Sequence, residues 1–99
     1  MHIHNVYFWL KDDQDAKSRA EFEEGLAWLA ADPYAKSGYF GKPADTDRDV
    51  VENSYSYGLV LVFKDRAAHD KYQESSAHMI FLDTNREKWS KVVVYDIES

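Results

Sequence analysis

Apolar side chains, many of them β-branched or aromatic, dominate residues 2–10 and occur at both even and odd positions. This pattern is typical of a β-strand. Alternation places one set of side chains on one face: His2, His4, Val6, Phe8 and Leu10. The other face carries Ile3, Asn5, Tyr7 and Trp9. Because both faces hold large apolar groups, we expect both faces of this strand to be covered.

Residues 14–31 follow a helical period instead. Four positions at helical spacing form one stripe that we expect to be buried: Phe22, Gly25, Leu26 and Leu29. Asp12 or Asp13 is the predicted N-cap. Asp32-Pro33 should end the helix, because a residue that precedes proline disfavours the α conformation. Trp28 lies off the stripe, so it is predicted to cover an edge or to contact a partner.

Three further strands are predicted in the rest of the chain. Residues 34–42 form a weaker candidate, since Gly38 and Gly41 interrupt it. Residues 54–64 form a stronger one, and residues 91–97 close the chain with three consecutive valines. One face of the strand at 54–64 carries Tyr55, Tyr57, Leu59, Leu61 and Phe63.

A second helix is predicted at residues 65–74, which begin with an aspartate that can cap it. Tyr72 should lie on its inner face. Thr84 and Glu87 have the spacing of a capping box. They predict a short third helix that reaches Trp89.

The predicted order, strand-helix-strand-strand-helix-strand, is the βαββαβ plan of the ferredoxin-like α+β fold. That fold has a four-stranded, largely antiparallel sheet with helices on one face. Ninety-nine residues indicate a single domain, 1–99, with one modest core. The helices leave the second sheet face uncovered, and a large exposed apolar face is unusual in a monomer. We therefore expect a homodimer that packs sheet against sheet.

Composition excludes several classes of function. The formal charge of -6 and the lack of a basic cluster argue against nucleic-acid binding. No apolar run is long enough to span a membrane, and the start lacks the pattern of a signal peptide. Without cysteine there is no disulfide or thiol chemistry. A cytoplasmic protein without a cofactor is the expectation.

The candidate chemistry lies in residues 72–78. A neutral imidazole can act as a base near neutral pH, and a phenol can donate to an enolate oxygen. His78 would then be the general base and Tyr72 the oxyanion donor. In one unbroken helix these residues would be about 120° and roughly 9 Å apart. The site therefore requires the helix to end near Ser75-Ser76; otherwise Tyr72 is a core aromatic and His78 caps a helix end.

The sequence contains two groups of residues that resemble metal ligands. His2 and His4 share a strand face and could bind zinc or copper, but no carboxylate or cysteine lies near them in the sequence. His69 is expected to be exposed. The acidic loop at residues 43–53 lacks the central glycine and the final glutamate spacing of a calcium loop. No metal is expected.

A series of short motifs, in order along the chain, resembles the stress-responsive α/β-barrel (Dabb) family. They are His4, Phe8-Trp9-Leu10-Lys11, Phe22, Gly25-Leu26, Phe63, Tyr72, Ala77-His78, Trp89 and Val94-Tyr95-Asp96. The resemblance implies a dimeric α+β barrel of the ferredoxin-like type. Most members of that family have no known activity, but olivetolic acid cyclase closes a polyketide chain by aldol condensation.

The resemblance to that cyclase implies roles for particular residues. His78 and Tyr72 match its catalytic pair. A pocket would be lined by His4, Val6, Phe8, Phe22, Leu26, Tyr57 and Leu59. Tyr57 and Leu26 replace a pocket histidine and a pocket tyrosine, and Ser75-Ser76 replaces a His-Pro pair, which argues against the cyclase's own substrate.

Three functional hypotheses follow. The first is a dimeric Dabb protein that binds a small apolar ligand or serves a stress-related role without catalysis. The second is a cofactor-free enzyme of the polyketide-cyclase type. The third, by fold analogy alone, is a haem or quinol oxygenase.

Overall fold

The computed structural model describes all 99 residues and contains four strands and three α-helices. Their bounds are β1 His2–Leu10, α1 Ala16–Ala30, β2 Ser37–Gly41, β3 Tyr57–Phe63, α2 Arg66–Gln73, α3 Ser76–Asn85 and β4 Trp89–Glu98, with a 3₁₀ turn at Arg86–Lys88. The strands form one sheet in the order β2-β3-β1-β4, and every neighbouring pair is antiparallel. The predicted ferredoxin-like α+β fold is confirmed.

The three helices cover one face of this sheet. Along β1 every second residue is buried, in the register that the sequence predicted. The core forms between these side chains, the alternate residues of β3 and one apolar stripe from the helices. Its members are Val6, Phe8, Leu10, Phe22, Leu26, Leu29, Tyr57, Leu59, Leu61, Phe63, Tyr72 and Phe81.

The other face of the sheet carries no helix. Its half-buried and exposed side chains are largely apolar: Ile3, Tyr7, Trp9, Tyr39, Tyr55, Val60, Val62, Val93, Tyr95 and Ile97. We call this set the outer sheet face. Tyr55 was predicted to share a face with Tyr57, and that prediction was wrong. The strand begins only at Tyr57, and the ring of Tyr55 packs instead on Tyr7, 5.0 Å between centroids.

The first helix begins later than predicted. Asp15, not Asp12 or Asp13, is its N-cap, because the Asp15 carboxylate accepts a hydrogen bond from the Ser18 amide at 2.8 Å. Trp28, off the buried stripe, is 70% exposed. Even α1, the longest helix, combines neither the length nor the hydropathy that a membrane crossing needs.

The third helix also begins elsewhere than predicted. It runs from Ser76, with Ser75 as its N-cap, and Thr84 lies in its last turn. The proposed capping box at Thr84 and Glu87 is therefore wrong. The apolar run that precedes Thr84 is itself helical because Phe81 inserts into the core.

Gly38 provides a test of how closely α1 and β2 approach each other. A Cβ atom at Gly38 would lie 2.2 Å from the carbonyl oxygen of Ala30, which is backbone and cannot easily move. We expect Gly38→Ala to lower the free energy of unfolding by about 1–3 kcal/mol in urea titrations. Gly41→Ala is the matched control in the same strand, since a Cβ there has nothing within 4 Å, and it should change stability by less than about 0.5 kcal/mol. Equal effects of the two substitutions would contradict this packing.

Candidate functional site

The chain breaks between α2 and α3 at a single serine. α2 ends at Gln73, and Ser75 has an extended backbone before α3 begins. The Ser75 hydroxyl donates to the carbonyl oxygen of Tyr72 at 2.7 Å and accepts from the amide of His78 at 3.2 Å. One side chain therefore binds the end of one helix and the start of the next.

This break brings the two candidate catalytic rings together. The centroids of Tyr72 and His78 are 5.1 Å apart, with the rings inclined at 61°. A continuous helix would have separated them by about 9 Å along its axis. The condition that the sequence set for a shared site, a helix end near Ser75-Ser76, is therefore met.

Both rings border a cavity of about 240 Å³ between the helices and the sheet. Ten of its thirteen lining residues are hydrophobic. The lining consists of His4, Val6, Phe8, Leu29, Leu59, Tyr72, Gln73, His78, Phe81, Leu82, Trp89, Val92 and Val94. Val92 and Val94 are 42% and 47% exposed, because β4 is an edge strand that the helices leave largely uncovered. We therefore place the mouth of the cavity beside β4.

Burial favours the neutral form of both rings. It lowers the pKa of His78, so the imidazole is neutral at pH 7. Its Nδ1 atom is buried without a hydrogen-bond partner. Burial raises the pKa of Tyr72 far above the usual range of a phenol, so the hydroxyl keeps its proton. The cavity thus presents one neutral hydroxyl donor beside one neutral imidazole.

His4 lies at the polar end of the cavity. Its Nδ1 is 2.6 Å from Oδ1 of Asp96, and its Nε2 is 3.4 Å from the side-chain nitrogen of Gln73. An ionised carboxylate only accepts hydrogen bonds, so Nδ1 carries the proton and Nε2 is left as an acceptor. Burial lowers the pKa of His4, although Asp96 opposes the shift.

Six of the nine residues predicted for the site line this cavity. They are His4, Val6, Phe8, Leu59, Tyr72 and His78. The structure does not bring Phe22, Leu26 or Tyr57 to it. These three are at least 98% buried in the adjacent core, where the ring of Phe22 packs between Phe8 and Tyr57 at centroid distances of 5.1 and 5.4 Å.

The sequence did not reveal seven lining residues: Leu29, Gln73, Phe81, Leu82, Trp89, Val92 and Val94. For the two valines the signal lies in strand register. Val94 pairs with Val6 and Val92 with Phe8, so alternate residues of β4 continue the lining of β1. This register can be used for prediction only once β4 is known to pair with β1.

The sequence matches the model of the Stress responsive A/B Barrel Domain family over residues 3–99. No protein among those with curated descriptions matches it.

Solved structures share the fold. A protein from Arabidopsis thaliana is 22% identical, with a TM-score of 0.81, and the match covers 100% of this chain and 95% of that one. A dimeric ferredoxin-like protein of unknown function from Thermobifida fusca is 19% identical, with a TM-score of 0.80 and coverage of 99% and 90%. A Dabb family protein from Mesorhizobium loti is 21% identical, with a TM-score of 0.78 and coverage of 99% and 95%. At these identities the likeness concerns the fold alone.

Proposed function

The chain belongs to the stress-responsive A/B barrel (Dabb) domain family, and on that basis we propose that it acts as a homodimer that binds a small apolar ligand. The whole of residues 1–99 would form one domain, and the protein would be cytoplasmic. The observation that carries the ligand proposal is the cavity of about 240 Å³ beside Tyr72 and His78. It is concave, mainly apolar and supplied with a few polar groups, as small-molecule sites usually are.

The outer sheet face supports the homodimer. It is a continuous apolar surface across all four strands, and exposed patches of this kind mark interaction sites. A second copy offers the same apolar surface, so two-fold pairing would cover both at once. The similar protein from Thermobifida fusca is dimeric, which supports a homodimer.

A charge on the outer sheet face should separate the subunits. Tyr95 is 63% exposed there, and Tyr95→Glu would bury a carboxylate in the interface. In light scattering at low micromolar concentration we expect the wild type at twice its chain mass of 11.5 kDa and the variant at 11.5 kDa. Tyr34→Glu is the matched control, since Tyr34 is exposed beyond the end of α1, and it should remain dimeric. A monomeric wild type would refute the sheet-face dimer.

The polar groups of the cavity define the ligand that fits best. The Tyr72 hydroxyl is a neutral donor, and the walls next to it are aliphatic and aromatic. A small molecule with an apolar body and a carbonyl group would satisfy both. Neither an anion nor a cation finds an opposite charge at Tyr72 and His78, since both side chains are neutral.

Closing the mouth of the cavity should weaken binding. We expect acetylacetone, a small β-diketone, to shift the NMR signals of residues around Tyr72 and His78. Val94→Phe places a larger side chain at the mouth and should raise the Kd by about tenfold or more, which corresponds to about 1.4 kcal/mol. Val50→Phe, in an exposed loop position, is the control and should bind as the wild type does. Unchanged affinity in Val94→Phe would place the ligand elsewhere.

A cofactor-free enzyme of the polyketide-cyclase type is our second proposal for the same cavity. It is favoured by the approach of the Tyr72 and His78 rings to 5.1 Å across the helix break. His78 would take a proton from the carbon between two carbonyl groups, and the electron pair of that C–H bond would become the enolate. Tyr72 would donate a hydrogen bond to the enolate oxygen, and His4 would orient the substrate.

Deuterium exchange at the central carbon of acetylacetone separates catalysis from simple binding. The enzyme hypothesis predicts exchange faster than in buffer alone, and a loss of about a hundredfold or more in His78→Ala because the base is gone. The dimer mass should be unchanged in that variant. If wild type and variant exchange at the same rate, His78 is not a base, and the binding hypothesis stands without catalysis.

The haem or quinol oxygenase alternative has less support. It depends on the fold, which many unrelated functions share. The lining of the cavity offers no feature that favours it over the other two hypotheses.

A further inference from the structure

Three histidines and one aspartate meet beside α2, where β1 begins and β4 ends. His2, His4, His69 and Asp96 each offer one ligand atom, and these four atoms all lie within 4.8 Å of one another. We call this set the histidine cluster. Only one of the chain's four histidines, His78, lies outside it.

The pairing of the strands assembles two sides of the cluster. In the register of β1 and β4, His4 faces Asp96 directly, and His2 faces Glu98. His2 is therefore held in a paired strand with its side chain only 5% exposed. Asp96 and Glu98 thus provide the carboxylates that the sequence neighbours of His2 and His4 lack.

The second helix supplies the third side. The imidazole of His69 is 4.3 Å from that of His2 and 4.8 Å from that of His4, between centroids. Its side chain is 13% exposed, so the expectation that it would be exposed was wrong. Asp65 caps α2 and sets where the helix begins, which turns His69 toward the sheet and not toward solvent.

Both ring nitrogens of His2 are buried without a hydrogen-bond partner. The nearest carboxylate oxygens, of Asp96 and Glu98, are 3.3 and 3.6 Å away and do not have hydrogen-bond geometry. Burying a polar atom without a partner is unfavourable, and few native groups remain so. A cation between the rings would provide the missing partner.

An ion could reach the cluster from solvent. A depression of about 390 Å³ opens beside it, without a hydrophobic residue in its lining: His2, Arg66, His69, Asp70, Asp96 and Glu98. The carboxylates there favour the approach of a cation. The guanidinium of Arg66 is already paired with Glu98, which reduces its repulsion.

We propose that the histidine cluster binds one divalent transition-metal ion through His2, His4, His69 and Asp96. Three imidazole nitrogens and one carboxylate oxygen suit zinc, copper(II) or nickel(II), whereas calcium and magnesium require mostly oxygen ligands. Tetrahedral bonds of about 2 Å place ligand atoms roughly 3.3 Å apart, so the four side chains would close in around the ion. To bind the ion through Nδ1, His4 would carry its proton on Nε2 instead and remain a neutral imidazole.

Isothermal titration of the tag-free dimer with zinc chloride, after removal of metals with EDTA, tests this site. We expect one zinc ion per chain in the wild type and no binding of magnesium. His69→Gln should weaken zinc binding by about tenfold or more, and His2→Gln likewise. His78→Gln is the matched control: it also removes one histidine, but from outside the cluster, and it should bind zinc as the wild type does.

Two further measurements distinguish the loss of the metal site from poor folding of a variant. Zinc at about a hundredfold excess over the wild-type Kd should raise the Tm of the wild type and of His78→Gln by about 10 °C, and that of His69→Gln by no more than about half as much. Cobalt(II) should give visible ligand-field bands in the first two proteins only. Absence of zinc binding in the wild type, equal affinity in His69→Gln, or equal weakening in His78→Gln would each overturn the proposal. None of these results depends on whether the apolar cavity binds a ligand.

Discussion

The structure depends on the burial of one face of β1. This strand is central in the sheet, with hydrogen-bonded neighbours on both sides, so its register determines what β3 and β4 place beside it. Its alternate side chains supply the middle of the core through Val6, Phe8 and Leu10. A shift of one residue would exchange the two faces of the strand and expose all three. The register of β1 therefore also determines the geometry of the cavity and of the histidine cluster.

The helical layer adds one decisive local feature, the serine between α2 and α3. The sequence pattern predicted two full helices and a short third helix near Trp89. The structure has three full helices on the sheet, because the chain turns at Ser75 and continues as α3. The turn lets Tyr72 and His78 face each other across a hollow. The same hydroxyl satisfies backbone groups of both helices. A polar side chain at a helix boundary is therefore what makes an apolar cavity possible.

His4 connects the two regions where chemistry is expected. One side of its ring borders the apolar cavity, and the other contacts Asp96 within the histidine cluster. An ion bound in the cluster would therefore lie next to the polar end of the cavity. The two sites differ in character because β1 changes along its inner face, from imidazoles at its start to apolar side chains in its middle.

The sequence alone determined the order of the elements, the faces of β1, the buried stripe of α1 and the cap of α2. It also identified Tyr72 and His78 as a candidate site, on the condition that the helix ends between them. These follow from local patterns: alternation, helical spacing, capping residues and short motifs. It could not determine that Val92 and Val94 line the cavity, that Phe22, Leu26 and Tyr57 do not, or that His69 and Asp96 join His2 and His4. Those contacts join residues up to 94 positions apart, such as His2 and Asp96. They exist only once strand register and the approach of the helices are set, which only the tertiary structure decides.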